Sequence, residues 1–362
     1  MSHLRIGFNT RVSFTSDDGP AAGLRDGIEL FKHAESLGYQ GGWAYQRHFD
    51  HYLSSPLPFF SAVGQYTSHI TLGTAVLPTR YQEPVLLAEA AATTDLLVGE
   101  RLNLAISSGG NQFDAVFGVG PTGLTGRQEG QRRLAIFLSA IQGHALHMVT
   151  EQILPGPPVG TELRVTPYSP GLRSRIWYGS GHVASAVLAA QQGLRLITGT
   201  ILHDNTGETF SAYQARLIDE YRKVYKDAHG LDAPPVAVAA SVLPGTTPEL
   251  RAKYAAYDKE RRTLGPAASR PKGALDPGGA PATPAGFLVS PVFHGTPEHV
   301  TEAILTDEGL QAADELVLFL PPAFGLAENR QLLTDFAKTV APNLGWEPTY
   351  PGEKETPRRH PP

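Results

Sequence analysis

Short runs of β-branched and aromatic residues alternate along the chain with longer stretches whose apolar positions recur every three to four residues. That alternation predicts strands separated by amphipathic helices. "LRIGFNTRV" predicts a first strand, and "AAGLRDGIELFKHAESLG" a helix stopped by Gly38. "GGWAY" predicts the second strand, followed by a helix over "PFFSAVGQYTS" with Pro58 in its first turn. "ITLGTAVLP" and "RLNLAISSG" are the third and fourth strands, with the helix "EPVLLAEAAATTDLLVG" between them and "QEGQRRLAIFLSAIQG" after them. "SRIWYGS", "RLITGTI", "PPVAVAASVLP" and "DELVLFLP" supply the fifth to eighth strands, each with a helical stretch behind it. Nearly continuous apolar strands of this kind imply a parallel sheet covered by helices. Eight such units predict an α/β fold, an eight-stranded parallel (β/α) barrel. An open doubly wound sheet is the alternative, and the lack of a G-x-G-x-x-G after the first strand speaks against it.

Two stretches interrupt the alternation. Residues 144–173 contain "LHMV" and "ELRV", which predict a small hairpin outside the barrel, and residues 264–286 are rich in Pro, Gly and Ala. The second stretch reads equally as a lid and as an irregular insertion. The organisation expected is one domain over residues 1–348, carrying both insertions, with a polar tail at 349–362.

Composition narrows the function. Of 362 residues, 41% are hydrophobic and 18% charged, as in globular proteins, and the net charge of −5 offers no basic surplus for nucleic acid or an anionic membrane. Cysteine is absent, which excludes disulfides, thiolate metal sites and a cysteine nucleophile. The scattered histidines have no carboxylate spacing that predicts a metal site. No apolar run is long enough to span a bilayer, and "MSHLRIGFNTRVSF" does not read as a signal peptide, so a cytoplasmic protein is expected.

In a barrel of this class the chemistry gathers where strands end. The first strand exits at Asn9, Thr10 and Arg11; the second at Tyr45, Gln46, Arg47 and His48; the third at Thr74 to Pro78; the fourth at Ser107, Ser108, Gly109, Gly110 and Asn111. The fifth exits through Gly179, Ser180, Gly181 and His182 straight into a helix whose first turn holds Ser185. Free N–H groups and the positive end of the helix dipole make such a turn able to take a phosphate, although its glycines also suit an ordinary tight bend. Arg47 and His48, beside Tyr45, Gln46 and Asp50, are the candidate catalytic pair.

The segments "GGWAYQRHFDHY", "ITLGTAVLPTRYQEPVLLAEAAATTDLLVGERLNLAISSG" and "IWYGSGHVASAVLAAQQG", with "HGTPEHV" and "PNLGW" in that order, resemble the bacterial luciferase-like flavin-dependent monooxygenase family, which also includes deazaflavin-dependent reductases. The resemblance implies reduced FMN in the barrel mouth, with its phosphate at the fifth exit. Phosphate contacts carry over to Ser108, Gly181, His182 and Ser185, and the cofactor set assigned here adds Thr74, Ala75, Gly109 and Ser180. At Ser108 the family has an arginine, so another cation must serve the phosphate, and His182 is one source. The family's Glu-His-His-Phe is Gln46, Arg47, His48 and Phe49 here, which puts an arginine at the catalytic histidine position. A guanidinium is no base near neutral pH, but it can hold an anion of flavin or peroxide, leaving His48 to move protons. A mobile loop in the family corresponds to residues 264–286, where Arg262, Arg270 and Lys272 lie in or near it. The implied enzyme is a two-component monooxygenase that takes reduced FMN from a separate NAD(P)H-dependent flavin reductase, oxygenates a small organic substrate and forms a homodimer. A deazaflavin-dependent hydride-transfer enzyme and a flavin-binding protein without catalysis are the alternatives.

Overall fold

The computed structural model describes residues 4–14, 19–110, 112–119, 125–152, 154–203, 207–264 and 287–350. Eight strands form the barrel: β1 Arg5–Thr10, β2 Gly41–Ala44, β3 Thr71–Thr74, β4 Leu102–Ser107, β5 Ile176–Ser180, β6 Arg195–Thr198, β7 Val236–Pro244 and β8 Glu315–Phe319. Each pairs in parallel with the next, and β8 pairs with β1, so the ring closes. These are the eight strands expected from the apolar runs. The helices are α1 Gly19–Ser36, α2 Pro56–Val63, α3 Pro84–Leu97, α4 Gly126–Ile141, α5 Val183–Gln191, α6 Phe210–His229, α7 Pro248–Leu264, α8 Pro297–Thr306, α9 Glu308–Gln311 and α10 Leu326–Thr339. Helix α2 starts at Pro56 and ends before Gly64, so the expected helix over "PFFSAVGQYTS" loses its last turn.

Inside the ring, Trp43 of β2 and Trp177 of β5 meet edge to face at 5.3 Å. Their indole N–H groups donate to Glu315 Oε1 (3.1 Å) and Asn103 Oδ1 (3.0 Å), so neither is buried without a partner. Ala105, Ala237 and Ala239 pack around the two indoles, with Ile197 and Val317. Gly73 is required on β3, because a Cβ there would lie 2.2 Å from the Trp43 ring. The larger apolar cluster lies between the ring and the helices, with Phe31, Phe60, Phe137 and Phe336 fully buried.

The segment Asp95–Leu102 proves to be scaffold. The buried Asp95 carboxylate accepts from Leu102 N (3.0 Å), Ser169 Oγ (2.5 Å) and Arg175 Nη2 (2.6 Å), tying α3 to the start of β4 and to the chain ahead of β5. Next to it, Arg101 donates to the carbonyls of Val98 (2.7 Å), Thr67 (2.9 Å) and Ile70 (2.8 Å). Both side chains sit at the end of the barrel where β4 begins, opposite the strand exits.

The first insertion does contain the small antiparallel pair, His147–Met148 with Glu162–Leu163. The expected third strand "ITLGTAVLP" is split: Thr71–Thr74 is β3, and Leu77–Pro78 is a separate short strand that pairs with β4. Periodicity does not announce two further pairings, Val292–Gly295 with β7 and Ile201–His203 antiparallel with Phe287–Val289 beyond the exit of β6. Of the second insertion, Leu264 closes α7 and residues 265–286, with Arg270 and Lys272, lie outside the described residues, as do the Arg262 side chain, Asn111 and residues 351–362. No helix among the described residues is long and apolar enough to cross a membrane.

Candidate functional site

Two adjoining cavities open at the strand exits. One, of about 260 Å³, lies in the barrel mouth above the tryptophans. Its apolar surfaces come from Ala75, Val76, Ile197 and Ala239, and its polar edge from Asn9, Arg11 and Tyr45. Ala75 and Val76 are joined by a cis peptide. The second, of about 490 Å³, lies between the exits of β4 and β5 and is lined by Ser108, Gly109, Tyr178, His182, Ser185 and His203, among others. Gly179, Gly181 and His203 border both, so the two share a wall.

The glycines let Val76 and His203 pack closely against this wall. A Cβ on Gly179 would fall 2.5 Å from Val76 Cγ1, and one on Gly181 would fall 3.0 Å from His203 Cδ2. Beyond Gly181 the chain enters α5. The N–H groups of Ser185 and Ala186 already donate to His182 O, both at 3.1 Å. Those of Val183 and Ala184 have no acceptor within the helix and carry the positive end of its dipole. Hydroxyls stand near: Ser108 Oγ and the Tyr178 phenol share a hydrogen bond of 2.7 Å, and Ser185 borders the same space. Two imidazoles also border this end. His203 stacks on His182 at 4.3 Å, its backbone N–H donates to Gly181 O (2.8 Å), and Phe287 packs on its other side at 4.2 Å. Burial, helped by the neighbouring His182, holds His203 below the usual imidazole range. No Lys or Arg lines this cavity among the described residues.

Of the residues expected to hold a cofactor, Ala75, Ser180 and Gly181 line the mouth, and Ser108, Gly109, Gly181, His182 and Ser185 line the second cavity. Thr74 lines neither; its hydroxyl donates to Ala105 O at 2.6 Å inside the wall of the barrel. Arg47 and His48 also lie off both cavities. Arg47 pairs with Asp50 at 3.0 Å. His48 packs on Phe117 at 4.8 Å and faces Tyr81 at 6.2 Å. Its Nε2 is buried with no hydrogen-bond partner, and burial lowers its pKa, which favours the neutral ring. Phe49 and Phe113 continue this aromatic lip at 5.1 Å from each other.

Sequence reasoning gave no role to His203, Tyr178, Phe319 or Arg11. Arg11 stood in the list of strand exits. His203 follows the sixth strand by five residues, but the pairing with Phe287–Val289 that folds it over Gly181 has no local signal. Among the described residues no group of three or more His, Asp and Glu side chains is placed to hold a metal ion.

The site is thus a closed (β/α) barrel with a largely apolar cavity in its mouth, beside a helix N-terminus bordered by hydroxyls and imidazoles. The model of the luciferase-like monooxygenase family matches residues 4–313, and the chain belongs to that family. It is an oxidoreductase. Among curated relatives, 4-hydroxyprotoasukamycin monooxygenase of Streptomyces nodosus subsp. asukaensis is 32% identical over 123 residues, 32% of this chain and 33% of that one. The oxygenase component of flavin-dependent trigonelline monooxygenase from Acinetobacter baylyi is 30% identical over 89 residues, 24% of this chain and 25% of that one. The matched stretch thus spans a third or less of these relatives. Solved structures share the fold across the chain. The oxygenating constituent of 3,6-diketocamphane monooxygenase from Pseudomonas putida, in complex with FMN, has a TM-score of 0.67 at 16% identity, covering 94% of this chain and 98% of that one. Coenzyme F420-dependent tetrahydromethanopterin reductase from Methanopyrus kandleri has a TM-score of 0.61 at 16% identity, covering 94% and 99%.

Proposed function

We propose that this protein is the oxygenating component of a two-component flavin monooxygenase, receiving reduced FMN from a separate NAD(P)H-dependent reductase. The observation that carries the reading is the adjacency of the two cavities, which share Gly179, Gly181 and His203: a largely apolar space in the barrel mouth that suits a ring system, beside a polar site that suits a phosphate. The residues present fit FMN. Ala75, Val76, Ile197 and Ala239 offer apolar contact to a ring, and the buried Asn9 Oδ1, which has no hydrogen-bond partner, is an acceptor awaiting an N–H. Val183 and Ala184 N–H, the Ser108 and Ser185 hydroxyls and the His182–His203 pair would hold the phosphate. A deazaflavin coenzyme carries a longer acidic tail and calls for a basic groove, and the described lining of the second cavity contains no Lys or Arg. A relative described as an oxygenase component supports the two-component arrangement.

When bound, reduced FMN supplies the electrons that activate oxygen. The chain's part is to bind, orient and shield. The aromatic lip of Phe49, Tyr81, Phe113 and Phe117 excludes water beside His48, whose neutral ring with a free Nε2 can take or give a proton. Arg47 is held at that exit by its ion pair with Asp50. Anaerobic mixing with reduced FMN and then with oxygen should give a transient absorbance distinct from oxidised flavin. Direct, monophasic return to free oxidised FMN would remove the oxygenase reading.

The phosphate site also sets a pH dependence. His203 starts with a lowered pKa, and an adjacent phosphate favours its charged form, so its pKa is higher in the complex than in the free protein. The stabilisation is complete below the free value and is lost as pH rises through the bound value. A phosphomonoester is already largely dianionic above its second pKa of about 6, so above that value the change in affinity reports the imidazole. FMN affinity should fall as the pH rises through the bound value while riboflavin affinity stays level, and His203→Gln should flatten the FMN curve. Parallel FMN curves for wild type and variant, by fluorescence titration, would exclude this role.

A further inference from the structure

Arg11 is a cation of the barrel mouth that hydrogen-bonds to Tyr52 and that no carboxylate of the described residues pairs with. It is 8% exposed, and its Nε and Nη1 have no hydrogen-bond partner. Its guanidinium carbon lies 4.6 Å from the Tyr45 ring centroid, 4.9 Å from that of Tyr52 and 5.5 Å from that of Phe319. Aromatic faces compensate part of a buried cation's lost hydration, and a fully formed ion pair would compensate more. Arg47 has Asp50 as its partner; no carboxylate of the described residues forms an ion pair with Arg11. A second buried guanidinium, Arg261, lies 5.9 Å from the same Phe319 ring and donates to Ser241 Oγ (2.5 Å) and Ser290 Oγ (3.2 Å), with the Asp258 carboxylate acting on it.

The position of Arg11 gives this charge a use. It follows β1, and in the closed ring β1 lies four strands from β5 in either direction, directly across the mouth. A ligand whose phosphate sits at the β5 exit and whose ring fills the mouth therefore meets Arg11 and the unpartnered Asn9 Oδ1 on the opposite side. Two electrons and one proton turn the neutral isoalloxazine into a monoanion, with the charge spread over N1 and the adjoining carbonyl. A planar fork of N–H donors suits that anion and gains little from the oxidised ring.

We propose that Arg11 makes this site select reduced over oxidised FMN by holding the negative charge of the reduced ring. The proposal rests on the flavin reading above and adds the means by which the protein takes the reduced form from a mixed pool.

The test compares dissociation constants for oxidised FMN, by fluorescence, and reduced FMN, by anaerobic titration, in wild type, Arg11→Gln and Arg11→Lys. Wild type should bind the reduced form more tightly. Arg11→Gln should cut that preference by roughly tenfold or more, the loss falling on the reduced form, as expected for removal of a charge-assisted hydrogen bond. Arg11→Lys should restore part of it. Binding of oxidised FMN shows that the variant is folded, and if Arg11→Gln fails there, Arg11→Met gives the same neutral comparison. An unchanged preference, or equal losses with both redox states, overturns the assignment and leaves Arg11 a shaping residue or a contact for the organic substrate. Wild type that binds neither form removes the flavin reading itself, and the proposal with it.

Discussion

Asp95→Ala is expected to lower the unfolding free energy by about 3–5 kcal/mol, the range for removing one partner of a buried ion pair. The substitution would strip Arg175 of its carboxylate and leave Leu102 N–H and Ser169 Oγ without their acceptor, all in one buried cluster. Asp95→Asn keeps an acceptor for one donor and should lose less. Urea unfolding followed by tryptophan fluorescence measures both. FMN affinity of the folded Asp95→Asn protein should match wild type, because the cluster lies at the end of the barrel away from the strand exits. A loss below about 1 kcal/mol for Asp95→Ala, the range of an exposed pair, would show that the cluster does not hold α3, β4 and the first insertion together.

Ser185→Asp is expected to weaken FMN binding on the order of a hundredfold, as a carboxylate placed a few ångströms from a phosphate in a half-shielded site would. The same substitution suits the fold. Ser185 sits in the first turn of α5, where a negative side chain interacts favourably with the helix dipole, so stability should hold or rise slightly. Riboflavin has no phosphate and should bind wild type and variant about equally. Equal weakening of both ligands would mean that the side chain blocks the cavity, and unchanged FMN affinity would move the phosphate elsewhere.

Much of the fold is legible in the sequence because a barrel strand buried on both faces leaves a continuous apolar run, and each run here is set off by a helix of different period. What stays hidden are pairings of two to four residues, such as Leu77–Pro78 against β4 or Ile201–His203 against Phe287–Val289, whose partners are distant in the chain. The site divides the same way. The Gly-Ser-Gly-His turn is local, and its glycines and helix N-terminus can be read directly. The choice between two arginines is not local. Arg47 stands in a recognisable motif, but Asp50, three residues on, takes its charge. Arg11 looks like any strand end until Tyr45, Tyr52 and Phe319, from other stretches of the chain, close around it. The segment that most resembles the family, around Asp95 and Arg101, serves architecture and not chemistry. His203 reaches the second cavity beside His182 only through tertiary folding, through the pairing of Ile201–His203 with Phe287–Val289.

The most direct measurement is equilibrium binding of FMN, riboflavin and coenzyme F420 to the purified protein, with the flavins in both redox states. Saturable binding of FMN, tighter than riboflavin and tightest when reduced, is the predicted result. Tight binding of F420 with none of FMN, or no binding of either at millimolar concentration, would contradict it.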